Sequence, residues 1–257
     1  MFDPEEGLAP DGTILTGARR DRVPAQFEPV LASAVAAFGE VSDTHSELHL
    51  YGSVATGMAR LGASDVDMLA IGVPAGWARD VSDDLSRRFM ALCRGVEIGQ
   101  GEAADFRGQG SAAYGGQVFL RHYCVPIAGP NAVRRVRPFL GDAQAARGFN
   151  GDIAECLNRW RSGADPRRVA RKTLLAAAGF VSVRYGTWTT DRSTAARRWA
   201  QLDPGQAGDI AEIFTWAEGR CTPSASHLNA VLGQNGAVAV AVERFAADVG
   251  LWSDLDT

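Results

Sequence analysis

The chain has 257 residues, 46% of them hydrophobic and 22% charged, with a formal net charge of −4. These values are typical of a globular protein, and the mild acidity argues against a nucleic-acid partner, which would favour basic faces. The four cysteines, Cys93, Cys124, Cys156 and Cys221, form no close pair, which excludes the usual zinc spacings and suits reduced thiols in a cytoplasmic protein. No apolar run approaches the ~18 residues of a membrane span, and the acidic, proline-broken start reads as neither signal nor transit peptide.

Residues 1 to about 23, with Pro4, Gly7, Pro10, Gly12 and Gly17, read as a loop-rich arm with partial disorder. From Pro24 to Phe38 the apolar residues Phe27, Val30, Leu31, Ala34 and Phe38 recur at helical spacing. Residues 46 to 51 alternate like a strand, Gly52-Ser53 turns the chain, and Val54 to about Arg60 predicts a short helix. Residues 65 to 73 predict a second strand, Asp80 to Cys93 an amphipathic helix, and Val96-Glu97-Ile98 a short strand. Gly99 to Gly116, rich in glycine, predicts a surface loop. Val118 to Ile127 fits either a strand or a buried helix.

The character changes near Ala143. Helices are predicted over Ile153 to Trp160, from Pro166 to a stop at Gly186, over Asp191 to Leu202, over Gln206 to Glu218 and over Ala237 to Val249, with no strand after residue 146. The expected fold class is α+β: a domain at 1–146 with a small mixed sheet and helices, followed by an all-helical domain at 147–257.

The chemistry concentrates at Leu50-Tyr51-Gly52-Ser53 and Ser64-Asp65-Val66-Asp67-Met68-Leu69. Side chains alternate along a strand, so Asp65 and Asp67 share a face. Two adjacent carboxylates repel, and a divalent cation between them offsets that cost. A Gly-Ser turn after a strand offers backbone N–H groups and a hydroxyl to an anion. It is neither a Walker loop nor a GxGxxG turn.

Gly-Ser, a gap of about ten residues and Asp-x-Asp on a hydrophobic strand resemble the signature of the polymerase-beta-like nucleotidyltransferase superfamily. The resemblance implies nucleotide transfer from a nucleoside triphosphate to a hydroxyl. It makes Asp65 and Asp67 ligands of Mg2+ and ATP the co-substrate, with Gly52, Ser53 and Ser64 on the phosphates. It also implies a third carboxylate on a later strand as base. Glu97 fits by position, with Glu102 and Asp105 as alternatives.

Arg171-Lys172-Thr173-Leu174-Leu175, Tyr185-Gly186-Thr187 and Arg192-Ser193-Thr194-Ala195-Ala196 with Trp199-Ala200 resemble the C-terminal part of the adenylyltransferases of streptomycin and spectinomycin, as does Gly129-Pro130 through Phe139. The resemblance spans roughly residues 46 to 220. It implies an aminoglycoside acceptor, release of pyrophosphate, and Lys172, Arg192 and Arg220 as nucleotide contacts, Arg168 lying one turn before Lys172. Asp209, with Glu212, and Trp199 are the implied substrate contacts, although Trp199 also suits packing and the two acids suit a first helical turn. The arginine at 192, where relatives tend to carry lysine, and the glycine-rich stretch depart from the pattern. A monomer acting on ATP and a small molecule, with no membrane or nucleic-acid partner, is the expectation. Alternatives are a protein or metabolite acceptor, and a nucleotide-binding regulator without turnover.

Overall fold

The computed structural model describes residues 3–130 and 136–252. Four strands form one mixed sheet in the order β5-β4-β3-β6: β3 (Glu47–Tyr51), β4 (Val66–Ile71), β5 (Val96–Gly101) and β6 (Val125–Ala128). β3 runs antiparallel to β4 and β6, while β4 and β5 are parallel. Alternation along the strands sorts the side chains into two faces. Leu48, Leu50, Val66, Met68, Ala70, Val96 and Ile98 face helices α1 (Glu28–Gly39) and α3 (Trp77–Arg88) in one core. On the opposite face Leu69 and Ile71 meet Leu120 and Cys124, at α4 (Ser111–His122).

The rest is helical: α5 (Ala143–Asn150), α6 (Ile153–Trp160), α7 (Pro166–Tyr185), α8 (Arg192–Leu202), α9 (Ala207–Ala217), α10 (Ala225–Leu232) and α11 (Ala237–Asp248). These helices share a second core, with Trp199, Trp216, Phe180 and Phe245 at its centre. α7 has Pro166 at its first position and closes on Gly186 in the left-handed conformation at φ 58°, both as expected, and the Asp165 side chain caps its start. The chain is therefore α+β, with a small mixed sheet followed by helices.

Two stretches depart from the sequence expectation. The segment 99–116 is not one loop. β5 runs to Gly101, a turn covers Ala103–Phe106 and α4 starts at Ser111. Gly115 serves contact rather than flexibility. A Cβ at Gly115 would overlap the backbone of Gly148, so the pair lets α4 and α5 cross at backbone distance. Residues 118–127 are the end of α4 followed by β6, so both readings of that stretch apply to parts of it.

The N-terminal arm is also fixed in place. β1 (Gly7–Leu8) pairs with β2 (Ile14–Leu15). The Glu6 carboxylate accepts from Tyr123 Oη at 2.8 Å, Thr190 N at 2.6 Å, Thr190 Oγ1 at 2.6 Å and Thr189 Oγ1 at 3.2 Å. The short helix after the Gly-Ser turn, α2 (Gly52–Ala55), is shorter than expected.

Candidate active site

Strand register assembles the acidic half of the site. Tyr51, Asp67 and Glu97 stand opposite one another across β3, β4 and β5, so their side chains share the face away from the α1/α3 core. Asp65 precedes β4 and is gripped by Arg94, whose Nε donates to Oδ1 at 3.0 Å and whose Nη2 donates to Oδ2. Glu102 and Asp105 form a reciprocal capping pair in the turn after β5 and do not line the cleft, which leaves Glu97 as the third carboxylate on its sheet side.

The Gly-Ser turn fits against this row. Gly52 adopts φ 72°, and a Cβ on it would overlap the Asp67 carboxylate. The Ser53 hydroxyl is buried, and among the described residues it has no hydrogen-bond partner. Burial, reinforced by repulsion from Glu97 and then Asp65, raises the Asp67 carboxyl to about 6, against partial relief from Arg94 and Arg171.

The helices supply an opposing wall of positive charge. A cleft of about 720 Å³ takes in Arg60, Ser64, Asp65, Asp67, Arg94 and Glu97 on the sheet side. On the helix side it takes in Arg167, Arg171, Asp191, Arg192, Phe214 and Glu218. Arg167 and Arg171 are one turn apart on α7, so they project together. The Arg171 guanidinium is pushed below its ordinary range by burial first, then by its neighbours Arg167, Arg192 and Arg94. Arg171 Nε donates to the Ala217 carbonyl at 3.3 Å, and Arg192 Nη2 donates to Glu218 at 3.3 Å. Guanidiniums crowded together in this way make a site for a multiply charged anion.

Several residues singled out in the sequence lie elsewhere. Lys172 is rotated off the cleft. Its Nζ is 2.7 Å from Asp152 and donates to the Phe149 carbonyl at 3.2 Å. Arg168 lines the same separate hollow as Lys172, beside Cys156. α7 buries side chains around most of its circumference, so an apolar stripe did not reveal which basic pair faces the nucleotide side. Trp199 is fully buried against Phe180 and donates from Nε1 to Asp203 at 3.0 Å. Asp209 and Glu212 flank His227, with Glu212 3.1 Å from its Nδ1. Arg220 stacks over Phe214 at 5.9 Å and reaches the cleft only through that ring. Residues 131–135 of the resembling link fall outside the described residues. The sequence reading missed Arg60, Arg94, Arg167, Arg171 and Glu218, although the i, i+4 spacing of Arg167 and Arg171 was a usable signal.

No family model matches the chain, and no curated protein matches it. Among solved structures it is similar to the crystal structure of spectinomycin adenyltransferase AAD(9) from Enterococcus faecialis with ATP and spectinomycin. The two superpose with a TM-score of 0.53 at 10% sequence identity, over 85% of this chain and 98% of that one. The chain has a nucleotidyltransferase-like fold. At this identity the likeness concerns the fold.

A divalent cation suits the cleft by three observations. The facing donors are carboxylate and hydroxyl oxygens, the Asp67 carboxyl is raised by burial and by negative neighbours that Arg94 and Arg171 only partly offset, and the buried Ser53 hydroxyl lacks a partner among the described residues. Among the described residues no three His, Cys, Asp or Glu side chains stand together as a ready-made cage. Mg2+ is commonly held by one or two carboxylates plus substrate phosphates, so two aspartates meet that need.

Proposed function

We propose that the protein is a Mg2+-dependent nucleotidyltransferase that moves AMP from ATP to a hydroxyl of a small molecule and releases pyrophosphate. The observation that carries this reading is the row Asp67–Glu97 facing Arg167, Arg171 and Arg192 across one cleft. Acids alone would suit many sites. Acids opposite clustered guanidiniums suit a metal–triphosphate, which carries both charges.

In this reading Asp65 and Asp67 hold Mg2+, which would neutralise phosphate charge and favour in-line displacement when bound. Gly52 lets phosphate approach the backbone, while the Ser53 hydroxyl and Ser64 bind near it. Arg167, Arg171 and Arg192 bind phosphate oxygens and draw charge away as pyrophosphate separates. The acceptor hydroxyl attacks the α-phosphorus. A new oxygen–phosphorus bond forms, the bond to the oxygen bridging the β-phosphorus breaks, and pyrophosphate leaves with that electron pair. The hydroxyl proton passes to Glu97, which is exposed to the cleft.

An aminoglycoside such as streptomycin or spectinomycin is the finer acceptor suggested by the resemblance and by the spectinomycin-bound fold relative. It rests on those likenesses alone. The test of transfer is calorimetric titration of Mg–ATP into the protein, followed by pyrophosphate release and acceptor mass. Binding that weakens in Arg171→Ala supports the reading. Failure of Mg–ATP to bind, or binding indifferent to Arg171, refutes it.

A further inference from the structure

A second hollow adjoins the cleft. It measures about 300 Å³ and is walled by the rings of Phe119, Tyr123, Phe149 and Trp188, with Leu175 of α7. The rings hold one another. Phe119 and Tyr123 stack at 6.2 Å, Phe149 meets Tyr123 edge-on at 6.0 Å, and Trp188 is 6.2 Å from Phe149. Trp188 Nε1 donates to Tyr123 Oη at 2.6 Å, and that hydroxyl donates to Glu6. The polar atoms of both amphipathic rings are thus already satisfied, which leaves ring carbon to line the space.

The lining of this hollow does not supply the negative charge that a polycation needs. Among the lining residues Lys172 is the charged one, already matched by Asp152, and no carboxylate lines the space. A protonated amine entering there would exchange its hydration for the few neutral polar groups of Asn150, Thr189 and Thr190, with no carboxylate in the lining and beside a lysine of like charge.

The hollow also abuts the reacting groups. Tyr51, the register neighbour of Asp67, packs edge-on against Phe119 at 5.1 Å. Thr190 of the hollow is followed directly by Asp191 and Arg192 of the cleft, and Leu175 lies one helical turn beyond Arg171. We infer that this aromatic hollow seats the acceptor, and that the acceptor is a neutral hydroxyl compound with a flat apolar ring body rather than a polycationic sugar. The inference rests on the nucleotidyl-transfer reading and replaces only its acceptor class. A hollow of this volume and lining is suited to two or three fused rings, a pattern common in small-molecule sites.

The full-length protein should be titrated calorimetrically with 2-naphthol, spectinomycin and streptomycin, each with and without Mg–ATP. 2-Naphthol is expected to bind at least 10-fold more tightly than either aminoglycoside, and to gain an adenylyl group with release of pyrophosphate when Mg–ATP is present. Leu175→Glu places a carboxylate in the hollow at a side chain that is 36% exposed, and should weaken 2-naphthol at least 10-fold while Mg–ATP affinity holds. Leu175→Trp, which fills the space without charge, should give the same loss and guards against misfolding of the first variant. Tighter binding or adenylylation of either aminoglycoside, or 2-naphthol affinity unchanged in both variants, overturns the inference. If 2-naphthol binds and Mg–ATP does not, the transfer reading fails while the ligand class of the hollow stands.

Discussion

Replacing Asp67 with asparagine should make the metal-free protein more stable while abolishing transfer. The Asp67 carboxyl is raised from 3.8 to about 6 by burial and by Glu97 and Asp65, so its ionised form is disfavoured in the folded chain. At about 1.4 kcal/mol per tenfold, the penalty at neutral pH is about 3 kcal/mol at most. The side chain is partly open to cleft water, which reduces the expected gain to roughly 1–2 kcal/mol. Between pH 3.8 and 6 the native state binds the extra proton, so stability falls as pH rises through that window and stays reduced above it. Urea unfolding in EDTA should therefore show Asp67→Asn more stable than wild type at pH 7.5, with the gain shrinking towards pH 4. Millimolar Mg2+ should stabilise the wild type and not the variant, by linkage. A gain equal at both pH values, or no gain at all, would refute the argument that repulsion among these carboxylates is what the cation relieves.

Other outcomes follow from the same geometry. Arg171→Ala should weaken Mg–ATP about 10-fold or more by calorimetry, in line with a charge-assisted contact of about 1.5–3 kcal/mol, whereas Lys172→Ala should leave that affinity within about twofold. Gly52→Ala forces a side chain into the left-handed region and onto Asp67, so activity should fall below detection in a pyrophosphate assay, with a lower melting temperature. Burial, then the charge of Arg121, lowers the His122 imidazole to about 4. The unfolded chain therefore takes up that proton first, and stability should drop as pH falls from about 6.5 towards 4. His122→Gln, which retains an acceptor for the Phe139 N–H that now donates to Nε2 at 2.8 Å, should flatten that slope in urea unfolding series.

The parts of the fold legible in the sequence were those fixed by local chemistry. The Pro166 start and Gly186 stop of α7 follow from backbone constraints, and Asp65 and Asp67 stand out by their two-residue spacing at a hydrophobic strand, whereas Glu97 was reached through the family resemblance. What stayed hidden depended on partners distant in the chain. Gly115 looks like a loop residue until Gly148 is seen against it, and Glu6 looks like part of a loose arm until its threonine partners appear. Lys172 and Arg171 differ by a 100° rotation on a helix that is apolar nearly all round, so tertiary packing alone decides which faces the acids. Trp199 shows the same limit, since its indole satisfies both its apolar body and its N–H inside the helical core.

The Glu6 clasp bears on how the protein is made. Its carboxylate finds its donors at Thr189 and Thr190, some 184 positions downstream, so during synthesis the arm must wait while most of the chain emerges. The sheet, with its three acids, has all its strands by residue 128. The guanidiniums of Arg167 and Arg171 come later, and Arg192 follows the clasp by two residues. A nascent chain halted before Thr189 would thus present an acidic row without Arg192 or the threonine anchors. The clasp thus holds Glu6 beside the segment that brings Arg192 to the cleft.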